Sequence, residues 1–157
     1  MIVHASVPAD DPERVARVIA ELWQGFSMPF PVIPGVFVAM AGDDRGTQVE
    51  VGPRGQEGAP GADMVEFRRN ASPSPYSEVH LNIYSPLSEA EILAIGAREG
   101  WTARVCDRGG FFKLVELWLE NRFMLEVMNT REWERYKAMC QAVTARQGQP
   151  PPRPAAG

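Results

Sequence analysis

The chain has 157 residues, of which 45% are hydrophobic and 23% charged, and a formal net charge of −4. A chain of this length forms one compact domain or two small halves sharing a core. It buries about 70% of the surface its unfolded form exposes, so it needs neither disulfide nor metal merely to fold. The acidic balance argues against a nucleic-acid or anionic-membrane partner, since both want a basic patch.

Met1-Ile2-Val3-His4 has no basic region followed by a long apolar run, so no signal peptide is expected. No stretch approaches the ~20 apolar residues of a membrane span. Cys106 and Cys140 share no short motif and read as free thiols in a reducing compartment. The expectation is a cytoplasmic protein without a membrane partner.

Residues 2–8 alternate, with Val3, Ala5 and Val7 on one side and Ile2, His4 and Ser6 on the other; this predicts a strand with one face covered. Asp10-Asp11-Pro12-Glu13 opens a helix with an aspartate cap and a proline in the first turn. Val15, Val18, Ile19 and Leu22 then form one apolar stripe through about Trp23, and Gly25 is expected to end the helix. Residues 26–35 hold three prolines and predict irregular chain or a short edge strand. Residues 36–41 and 47–52 read as strands around the tight turn Asp43-Asp44-Arg45-Gly46. Residues 53–77, rich in Pro, Gly and Ser, read as a connection with one short strand at most.

The pattern then restarts. Residues 79–84 alternate as the first strand did, with His80, Asn82 and Tyr84 opposite Val79, Leu81 and Ile83. Ser88-Glu89-Ala90-Glu91 caps a helix whose apolar face carries Ile92, Leu93 and Ile95 and which Gly100 stops. Residues 102–108 predict a strand, Gly109-Gly110 a loop, and residues 111–119 and 123–128 a hairpin about Glu120-Asn121-Arg122. A last helix, capped by Thr130, runs to about Arg146 with Trp133, Tyr136, Met139 and Cys140 as its packing stripe. The fold class is therefore α+β: two βαβββ modules, residues 1–70 and 71–129, form a curved mixed sheet with helices outside. A C-terminal helix at 130–147 and a disordered tail at 148–157 follow.

The chain has two histidines, His4 and His80, 76 residues apart, and Glu50 and Glu126 are separated by the same interval. Strand parity points all four away from the aliphatic, helix-packed face. Two neutral imidazoles and two carboxylates on one face suit a divalent metal: imidazole suits Zn, Ni, Co or Fe, and the carboxylates move the preference toward six-coordinate Ni, Co or Mn. Glu116 shares that face, and the hairpin brings it near Glu126, either as a proton-transfer group or paired with Arg104 or Arg108. Arg104 and Arg108 are placed to hold a substrate carboxylate, with Asn82, Tyr84 and Trp118 as further substrate contacts on the same face.

The βαβββ duplication, with His in the first strand of each module and Glu in the last, resembles the vicinal oxygen chelate superfamily, on its glyoxalase I and methylmalonyl-CoA epimerase side. The resemblance covers about residues 2–129 and implies His4, Glu50, His80 and Glu126 as metal ligands. It implies a small substrate with vicinal oxygens, isomerised, epimerised or cleaved through an enediolate that a Lewis-acid metal stabilises. Glu126 or Glu50 would move the proton. It also implies a homodimer. The superfamily's extradiol dioxygenases and fosfomycin-modifying enzymes use a His-His-Glu set, so the carboxylate at Glu50 favours the isomerase or lyase branch. The alternatives are an Fe(II) extradiol-type dioxygenase and a non-catalytic small-ligand-binding protein. The chain departs from glyoxalase I in three places. Its first helix reads Arg17-Val18-Ile19-Ala20-Glu21-Leu22-Trp23, residues 6–11 hold no arginine, and Val51-Gly52-Pro53 stands where Thr-Tyr-Asn is usual. These argue against a glutathione thiohemiacetal substrate.

Overall fold

Side-chain alternation in strand β1 (His4–Ala9) puts Val7 and Ala9 on one side, both buried, and His4 and Ser6 on the other, both exposed. The computed structural model describes residues 2–146. The chain divides into two compact units, one ending at Glu78 and the other beginning at Val79.

In the first unit, helix α1 (Pro12–Trp23) starts at Asp11, whose carboxylate accepts from the Arg14 N–H at 3.1 Å, with Pro12 in the first turn. Its stripe of Val15, Val18, Ile19 and Leu22 is almost wholly buried, each side chain contributing about 1.5–3 kcal/mol by leaving water. The helix packs on β1, β3 (Phe37–Met40) and β4 (Gln48–Pro53), and against the edge strand β2 (Phe26–Pro29). Strand order is β1-β4-β3-β2, with β1 and β4 parallel and the other pairs antiparallel.

The end of α1 differs from expectation. Gln24, not Gly25, takes the left-handed cap position, at φ 56°. Gly25 is needed for a different reason: a Cβ there would lie 2.0 Å from the Met40 carbonyl oxygen. The connection that follows β4 also carries more structure than expected. Strands β5 (Gln56–Pro60) and β6 (Val65–Arg69) pair antiparallel as a separate two-stranded hairpin.

The second unit repeats the first. Strand β7 (Leu81–Tyr84) leads to helix α2 (Glu89–Glu99), then β8 (Ala103–Asp107), β9 (Lys113–Leu119) and β10 (Phe123–Met128). The order is β7-β10-β9-β8, the topology of the first sheet. A full capping box starts α2: Ser88 and Glu91 each bond the other's backbone N–H, at 3.3 and 2.7 Å. Gly100 ends it in the left-handed conformation. Leu117, Leu119, Leu125 and Val127 are buried, and α2 packs on β8 and β9.

Helix α3 (Thr130–Ala145) is capped by Asn129 rather than Thr130; the Asn129 side chain accepts from the Glu132 N–H at 3.0 Å. Trp133, Tyr136 and Met139 pack on Phe112, Leu114 and Met128. By parity this is the sheet side that carries Glu116 and Glu126. Glu132 pins the contact by accepting from the Lys113 N–H at 2.6 Å. The expected tail at 148–157 lies outside the described residues. Among those described, no helix is long and apolar enough to cross a membrane.

Candidate functional site

Parallel pairing of first and last strand fixes the same register in each unit. Ser6 stands opposite Glu50 in the first, and Asn82 opposite Glu126 in the second. Each carboxylate is bonded by its partner at 3.2 Å, from Ser6 Oγ and from Asn82 Nδ2. His4 precedes Ser6 by two residues on β1, so parity puts it on the Glu50 face; His80 precedes Asn82 by two, just ahead of β7. Sequence spacing identified the histidines and glutamates; Ser6 and Asn82 as carboxylate partners follow only once the register is known.

The second unit gathers most of the predicted site residues. His80 Nε2 is 3.8 Å from Glu126 Oε2. The other oxygen of Glu126 accepts from Arg108 Nη2 at 2.5 Å. The same Arg108 nitrogen reaches Glu116 Oε1 at 3.1 Å, and Arg104 grips Glu116 Oε2 through Nε at 2.8 Å and Nη2 at 2.7 Å. Burial pushes the Glu116 carboxyl up, but the hydrogen bonds from Arg104 and Arg108 outweigh it and hold the group below the usual carboxylate range. The bond to Glu126, joined by those to Glu116, raises Arg108 above its ordinary value. Arg104 and Arg108 therefore spend their inner faces on protein carboxylates.

Tyr84 and Trp118 are placed differently. The Tyr84 hydroxyl meets Thr130 Oγ1 at 3.2 Å and its ring lies 6.2 Å from that of Trp133, so this side chain fastens α3. Trp118 stands opposite Met124 in the β9–β10 ladder. Tyr136, unforeseen as a neighbour, comes from α3: its hydroxyl is pushed up by a bond with Cys140, by burial, and by the nearby Cys140 and Glu126 charges.

The first unit has a feature the sequence did not reveal. A cavity of about 320 Å³ opens on the face that carries Ser6 and Glu50. Gly52, next along that face of β4, lines it with Ile33 and Val36, and Phe67 of the hairpin and Tyr76 form further walls. Arg54, the one cation among the described residues of its wall, is bound to Asp10 at 2.7 Å.

Within either unit, no three His, Cys, Asp or Glu side chains among the described residues are gathered as a cation site. Each unit supplies one imidazole and one carboxylate. Ligand bonds of about 2.0–2.2 Å set adjacent donors of one octahedral or tetrahedral ion about 3–3.5 Å apart. His80 Nε2 and Glu126 Oε2, 3.8 Å apart, would close by a few tenths of an ångström to share an ion. Arg108 occupies the other oxygen, the position of an outer hydrogen-bond partner to a ligating carboxylate.

No protein-family model matches the sequence, and no curated protein matches it. Solved structures do. The trypanothione-dependent glyoxalase I of Leishmania major superposes with a TM-score of 0.53 at 12% identity, over 95% of this chain and 99% of that one. The fosfomycin resistance protein FosX of Mesorhizobium loti gives 0.52 at 14% identity, over 87% and 97%. Two βαβββ units of identical strand order, matched along nearly the whole of both structures, give this chain the vicinal oxygen chelate fold.

Proposed function

We propose that the protein is a metal-dependent isomerase, epimerase or lyase for a small substrate with two neighbouring oxygens. His4, Glu50, His80 and Glu126 would hold its metal, one of Ni, Co, Mn or Zn. The observation that carries this reading is the repeated register, His two residues before the partner of Glu in both sheets. A bound divalent ion supplies Lewis acidity toward the substrate oxygens.

The chain's own residues divide the remaining work. Glu50, whose side-chain partner among the described residues is the neutral Ser6 hydroxyl, takes the proton from the substrate carbon and returns it. Glu126 is the anchored carboxylate, fixed by Arg108 and Asn82. Glu116 on β9 braces Arg108, and Arg104, four residues back on β8, holds Glu116 in turn. Held below the ordinary range, Glu116 is a poorer base than a carboxylate without such partners. The same reading includes a homodimer, which light scattering on the purified chain tests.

The catalytic test is solvent exchange. Metal-loaded protein should wash deuterium into the carbon beside the carbonyl of an α-hydroxycarbonyl compound in D2O, and Glu50→Gln should abolish it. Absence of exchange with every metal and a broad panel of such compounds would contradict the reading. It would favour a second one, a ligand-binding protein without chemistry, which the Arg108–Glu126 pair also suits because an internal cation already neutralises that carboxylate.

A further inference from the structure

We propose that the first-unit cavity is a substrate chamber for the apolar body of an uncharged aromatic molecule whose polar end lies at Ser6 and Glu50. The proposal rests on the reading above only in taking that face as the one substrate approaches. The chamber exists because of two local features. On the floor, Gly52 contributes no side chain: a Cβ there would meet Val36 Cγ2 at 3.8 Å, ordinary contact, and its backbone needs no positive φ. At the side, the β5–β6 hairpin brings Phe67, and the segment after it brings Tyr76. These rings keep 46% and 63% of their surface exposed, area that a stacked apolar ligand would remove from water.

With no metal on Glu50, charge selects against anions. Glu50 and Glu57 are the carboxylates at the wall, and the guanidinium of Arg54 is already committed to Asp10. Glu57 is itself held in place by Asn70 Nδ2 at 2.6 Å. A carboxylate or phosphate entering here meets two like charges and a cation whose charge is already matched. A neutral ring meets Ile33, Val36, Phe67 and Pro73, and its oxygen finds the Ser6 hydroxyl. The volume suits a single-ring compound.

Ligand-observed NMR titration of the full chain in chelator, without added metal, tests this with two probes. One is neutral 2-hydroxyacetophenone and the other its anionic relative phenylglyoxylate. The neutral probe should bind at least about tenfold more tightly, and Gly52→Leu, which fills the floor, should weaken it by about tenfold or more. Should Gly52→Leu fail to fold by circular dichroism, Phe67→Ala at an exposed position decides instead, with an expected loss of about threefold. Equal or tighter binding of the anion, or unchanged binding in the folded variant, overturns the proposal. Because no metal is present, this outcome is separate from the metal content on which the functional reading stands.

Discussion

Arg108 Nη2 stands 2.5 Å from Glu126 Oε1 and 3.1 Å from Glu116 Oε1, so one guanidinium joins the carboxylates that face each other across β9 and β10. Among the described residues, the first unit has no such bridge. Val38, buried, occupies the place opposite Glu50, and no cation among the described residues bonds that carboxylate. Duplicated strands thus carry the same histidine and glutamate into unlike electrostatic settings, one already neutralised and one open to an added cation.

Removing Arg108 should cost stability. Glu116 and Glu126 keep only 11% and 14% of their side-chain surface exposed, so Arg108→Met leaves two poorly solvated carboxylates without their shared donor. Urea unfolding should show a loss of about 1.5–3 kcal/mol. A loss below about 0.5 kcal/mol, the size of a surface ion pair, would mean that the bridge is slack.

Acid should act on the same network. The folded-state value of Glu116 is depressed, so its ion pairs contribute stability that is fully present above the ordinary glutamate value, about 4.3. That contribution is lost as pH falls through the lower folded value. Glu116→Gln should therefore be less stable than wild type at pH 7 and lose less stability on acidification below about pH 4. Parallel pH–stability curves would refute this assignment.

Gly25→Ala should be disproportionately harmful for a glycine-to-alanine change outside a helix. Its new methyl would overlap the Met40 carbonyl oxygen on β3, and backbone cannot yield as a side chain does. The expected cost is about 1–3 kcal/mol by thermal or urea unfolding, with Gln24→Gly near neutral.

Much of this architecture was legible in the sequence. Alternation in residues 2–8 and 79–84 fixed which face each histidine occupies, because one face of each sheet is buried under its helix and a one-residue slip would invert it. The hairpin was not legible, since the strand Val65–Arg69 is exposed at every position and leaves no periodic trace. Asn129-Thr130 offered two adjacent residues of similar capping power, and only the backbone distinguishes them. Strand parity put Arg104 and Arg108 beside Glu116, but parity is silent on distance, and the contacts show arginines turned inward onto carboxylates. The first-unit cavity depends on an absent side chain, Gly52, framed by residues far away in sequence, and no local pattern announces that.

His4, Glu50, His80 and Glu126 are proposed to act together on one metal. This is tested most directly by metal content, measured by mass spectrometry on protein purified without chelator and reloaded by dialysis. The expected result is about one equivalent of Ni, Co, Mn or Zn per chain, lowered at least about tenfold in affinity by His4→Ala, Glu50→Gln, His80→Ala or Glu126→Gln alone while each variant stays folded. No stoichiometric metal under any loading, or binding indifferent to the two histidines, would contradict it.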